Sequence, residues 1–148
     1  MKNSEQVMTR AIEELAEINA GAFQDMGGEI PATLVVAIPK GLLVLPLEAM
    51  KWPEAKDAIA NAPFTMTVLE GFIYETRNGP LQAGSIEDNP DARLCLIYLA
   101  QARDGARACA VQFILKPERG KPSLAPLKIM DAATVGIAGP DHANATRH

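Results

Sequence analysis

The chain has 148 residues, 48% of them hydrophobic and 22% charged, with two cysteines and a formal net charge of −4. A chain of this length builds one core without disulfides or a structural metal. The composition excludes a disulfide-rich secreted scaffold, a collagen-like repeat and a disordered chain.

Ser4 to about Asp25 reads as an amphipathic helix. Met8, Ala11, Ile12, Leu15, Ile18, Ala22, Phe23 and Met26 recur at three- and four-residue steps and share one wide face. Asn3 with Gln6 suits an N-terminal cap, and Gly27-Gly28 supplies the stop. Ala32 to Ile38 and Leu42 to Leu47 are β-rich runs around Pro39-Lys40-Gly41, which is a hairpin signal. Pro53 to Ala62 reads as a short helix with proline in its first turn. Phe64 to Thr76 is a long strand, followed by the breaker-rich connection around Asn78-Gly79-Pro80 and Gly84 to Pro90.

Arg93 to Ala102 and Ala106 to Lys116 flank Asp104-Gly105, the strongest short hairpin signal in the chain. A last strand runs from about Ser123 to Met130, and residues 132–148 read as a flexible tail beyond a single domain over 1–131. The expected fold is therefore α+β, in the order α-β-β-α-β-β-β-β. A mainly antiparallel sheet of about six strands ends in a β-meander, with both helices on one face.

A two-residue turn at Asp104-Gly105 would pair Arg103 with Ala106 and assign every side chain of this hairpin to a face. Leu94, Leu96, Tyr98 and Ala100 would then share a core face with Cys109, Val111, Phe113 and Leu115. Cys95, Ile97 and Leu99 would join Ala108, Ala110 and Ile114 on the other face, with an apolar centre between polar ends. Those six are the candidate interface, because an exposed apolar patch usually has a partner. The competing reading is that the N-terminal hairpin or the tail covers them. The same register puts the two cysteines on opposite faces and excludes a disulfide between them.

The chemical signatures are mostly absent. The only histidines, His142 and His148, fall in the expected tail. No phosphate-binding, dinucleotide, zinc-protease, nucleophile-elbow or C-x-x-C motif occurs, so the sequence points to no cofactor and no metal. Glu70 alternates with Phe64, Met66, Val68 and Phe72, which would desolvate it and suit it to acid/base work. A bulge at Gly71 or an ion pair would remove that role. Arg93 and Arg103 are candidates to hold an anionic substrate. Glu87 to Asp91 concentrates oxygen ligands but lacks the calcium-loop spacing. Trp52 before Pro53 suits a packing role at the second helix.

Residues 1–92 hold six basic and fourteen acidic side chains, whereas residues 93–128 hold seven basic and two acidic. That asymmetry could orient subunits. With no stacking aromatic among Lys116, Arg119, Lys121 and Lys128, nucleic acid is not an expected ligand. No apolar run is long enough for a membrane span, and the opening residues carry no export signal, so a cytoplasmic location is expected. The leading functional expectation is a non-catalytic binding or assembly module forming a homo-oligomer or meeting a protein partner. The alternatives are a small-molecule enzyme using Glu70 and a small acidic chaperone-like protein.

Overall fold

The computed structural model describes residues 4–25, 27–28, 30–75, 81–84 and 93–130. Helix α1 spans Ser4–Ala22. The hairpin β1 (Thr33–Ile38) and β2 (Gly41–Pro46) follows, then a 3-10 turn over Leu47–Lys51 and helix α2 (Pro53–Asn61). Next come β3 (Phe64–Glu75), the short β4 (Leu81–Gly84), β5 (Arg93–Ala102) and β6 (Arg107–Leu115). The short strands β7 (Ser123–Leu124) and β8 (Lys128–Met130) complete the described order. The fold is α+β, and its antiparallel sheet runs β2-β1-β3-β5-β6-β7, with β4 beside β3 and β8 beside β6.

Helix α1 lies where its apolar stripe demands. Met8, Ala11, Ile12, Leu15 and Ala16 pack with Phe23 on Val35, Met66, Val68, Leu96, Tyr98, Ala100 and Ala110. Ile18, expected in the stripe, lies at its margin and is 64% exposed, while Ala16 takes a buried place. The chain leaves the helix through bonds from the Gly28 N–H to the Phe23 carbonyl and the Gly27 N–H to the Gln24 carbonyl. Both glycines have positive φ there, as a helix stop requires. The expected cap at Asn3 lies outside the described residues, as do Met26, the segments around Asn78 and Glu87, and the tail.

The two helices lie on opposite faces of the sheet, which corrects the expectation that they share one. Alternation along β1 explains it. Val35 and Ala37 join the α1 core, whereas Leu34 and Val36 pack with Ala49, Ala58, Ile59 and Ala62 from the 3-10 turn and α2. A strand buried on both faces reads as a continuous apolar run, and Leu34 to Ile38 is one.

The β5–β6 hairpin corrects a second expectation. Gln101 pairs with Arg107, so the loop is Arg103-Asp104-Gly105 rather than two residues. The Gly105 N–H meets the Ala102 carbonyl at 3.1 Å, and Gly105 alone takes a left-handed φ of 91°. This is a three-residue loop: a turn followed by a residue that glycine accommodates without strain. One residue of register turns every β6 side chain over. Ala108, Ala110, Gln112 and Ile114 therefore face α1, and Cys109, Val111 and Phe113 face the reverse side with Cys95, Ile97 and Leu99.

The loop is tied back to α1. The Ser4 hydroxyl donates to Asp104 Oδ2 at 2.6 Å, and the Ala106 N–H donates to Asp104 Oδ1 at 2.9 Å. These bonds hold the Asp104 carboxyl below its ordinary range, the Ser4 hydroxyl contributing most.

The final strand is broken. Leu124 pairs with Ile114 and Ile129 with Ala110, so the two short strands are out of step by one residue across Ala125-Pro126-Leu127. Only Ala125 in that insertion is seen to bond β6, its N–H meeting the Phe113 carbonyl at 2.9 Å. Proline at the bulge leaves no missing donor in a regular ladder.

Candidate functional site

Among the described residues the candidate catalytic groups are not brought together. Glu70 does lie on the α1 side of β3, and the pairing with β5 continues without a bulge from Phe64 to Ile73. Its side chain is nevertheless exposed, although Phe64, Met66 and Val68 before it on that side are buried. Desolvation, the basis of its expected acid/base role, is missing. Arg93 and Arg103 stand near opposite ends of β5. The Arg93 guanidinium lies 4.1 Å from the centroid of the Phe113 ring, a cation–π contact, and Arg103 occupies the hairpin loop. Among the described residues no three His, Cys, Asp or Glu side chains gather as a metal site would need.

The six candidate interface residues do not form one surface. Cys95, Ile97 and Leu99 lie on the reverse face, while Ala108, Ala110 and Ile114 lie toward α1. Cys95, Ile97, Ala108 and Ala110 are also buried within the chain. Cys95 and Cys109 share a face, contrary to expectation, but both are free and buried. Burial pushes both thiols up to about 12; for Cys95 the neighbouring Cys109 adds to the effect and Arg93 opposes it.

Beneath α1 runs a buried polar chain. Asn19 Nδ2 donates to Tyr98 Oη at 2.9 Å, Tyr98 Oη donates to Gln112 Oε1, and Gln112 Nε2 donates to the Ala16 carbonyl at 3.3 Å. The chain begins and ends on the helix, so it fixes α1 across β5 and β6. Burial raises the Tyr98 phenol to about 12, with the Asn19 bond pulling the other way. Its buried members Tyr98 and Gln112 both have partners, so it acts as a structural clamp. Beside it, an open groove of about 480 Å³ runs between α1 and the broken final strand, with Glu13 and Glu17 on one wall and Leu127 and Ile129 on the other.

One edge of the described sheet is formed by β2. Among the described residues no strand pairs with its outer side. From Gly41 to Leu47 the segment has no charged side chain. Val44 is 55% exposed, and Leu43, Met50 and Trp52 are exposed with it. Trp52, expected to pack, instead stands at the start of α2 with an open side chain. Sheet edges are ordinarily blunted by charge, a bulge or a covering segment. Pro46 at the strand's end is the one such device here. Sequence reading located this strand but not its exposure, since an apolar run signals burial as readily as an edge.

No protein-family model matches the chain, and neither curated proteins nor solved structures provide a match. Among the described residues no helix is long and apolar enough to cross a membrane.

Proposed function

We propose that this protein is a non-catalytic binding or assembly module that works by self-association. One observation carries the reading: β2 is an uncharged apolar strand whose outer side is unpaired among the described residues. An edge of this kind templates pairing with another chain, and proteins that remain single copies blunt it. The exposed Glu70 gives no comparable support to acid/base chemistry. Sedimentation velocity over a concentration series tests the proposal. A discrete oligomer that dissociates on dilution supports it, and a monomer up to the highest soluble concentration overturns it.

A further inference from the structure

We infer that the occupant of the β2 edge is a second copy of this chain, paired antiparallel with its own β2 about a two-fold axis at Val44. This rests on the proposed self-association and specifies its surface and register. The backbone sets the parity. The Leu47 N–H bonds the Ala32 carbonyl at 3.1 Å, and Ile38 pairs with Gly41 across a two-residue turn. In an antiparallel ladder alternate residues bond the same neighbour, so Gly41, Leu43 and Leu45 point to β1 and Leu42, Val44 and Pro46 point outward. Pro46 therefore withholds no donor from β1. With the axis at Val44, each copy donates from its Val44 N–H to the Val44 carbonyl of the other. Each Leu42 N–H likewise meets a Pro46 carbonyl.

Other two-fold registers also satisfy outward backbone groups, and charge decides among them. Lys40 lies four residues before Val44 and Glu48 four residues after it, and both are exposed. Lys40 stands in the turn just before β2 and Glu48 in the 3-10 turn just after it, so the axis at Val44, midway between them, centres the Lys40 end of each copy on the Glu48 end of the other. The uncharged run between them then lies side by side, with Leu43 opposite Leu45 on one face and Val44 opposite itself on the other. Opposite charges at the two ends of the paired strands favour this register, and like charges there would oppose it.

The test is a charge swap in the full chain, read by sedimentation at low salt where such pairs are least screened. Lys40→Glu and Glu48→Lys should each weaken association by about tenfold, since each substitution spoils two symmetric pairs. The double swap should restore it. Val44→Lys should abolish association by placing two ammonium groups at the axis, and an exposed position tolerates that substitution in the fold. In the unsubstituted chain, the Leu42 and Val44 amides should gain protection from hydrogen exchange as concentration rises. Association that persists in Val44→Lys, without that protection, overturns the β2 occupant and leaves self-association standing. Loss in Val44→Lys without rescue by the double swap overturns the register. A monomer overturns both.

Discussion

The hydroxyl of Tyr98 and the carboxamide of Gln112 join β5 to β6 directly beneath α1, and the same carboxamide holds the Ala16 carbonyl of the helix. Tyr98→Phe removes the shared hydroxyl while keeping the ring. Gln112 Oε1 then loses its donor inside the core, a cost of about 1–3 kcal/mol. Thermal unfolding should fall by several degrees, whereas an exposed control, Glu17→Gln, should leave it unchanged.

Alkaline pH should unfold the protein through three groups. Tyr98 and both cysteines have pKa values raised by burial to about 12, from ordinary values of 10 and 9. A raised pKa means the folded state favours the protonated form, so that stability is complete below pH 9. It declines as pH rises from 9 toward 12. Denaturant midpoints measured across this interval should fall steadily, and Tyr98→Phe should flatten the upper part of the decline.

Both thiols should be silent in the native protein. Cys95 and Cys109 are almost wholly buried and are protonated at neutral pH. A disulfide reagent should label neither in native buffer and both in denaturant. Rapid native labelling of either would contradict the packing of the reverse face.

Gly28 should resist substitution for two reasons acting together. Its φ is +83°, and a Cβ there would stand 2.5 Å from Pro122 Cγ. Gly28→Ala should cost about 1–2 kcal/mol in chemical unfolding. Pro122→Ala in the same chain should recover the steric part alone, because the backbone strain remains.

The α1 stripe and the Pro39 hairpin were readable because spacing and turn chemistry act locally. The face assignments of β6 were not. Ala108-Cys109-Ala110-Val111 is apolar on both parities, so the strand itself carries no sign of its orientation. Orientation rests on whether Asp104 takes a left-handed conformation, and the structure gives that conformation to Gly105 alone. Glu70 shows a different limit. Alternation put it on the correct side of β3, but no local signal tells where burial on that side ends. Strand β4 lies in a stretch rich in breakers, and its pairing with β3 is a tertiary outcome that propensity opposes. The exposed β2 edge followed only from knowing which strand lies outermost.

The break at Pro126 makes the two margins of the described sheet unequal. The β2 margin keeps one step along its length, with N–H donors at Leu42 and Val44 and carbonyls at Leu42, Val44 and Pro46, whereas the β7–β8 margin changes step halfway along. A subunit that could accept a neighbour at both margins would add copies without end and form a fibre. Of these two margins of the described sheet, a two-fold pairing through β2 would consume the regular one. If copies pair through β2 as proposed, growth would stop at two chains, and a proline far from the contact would set that limit.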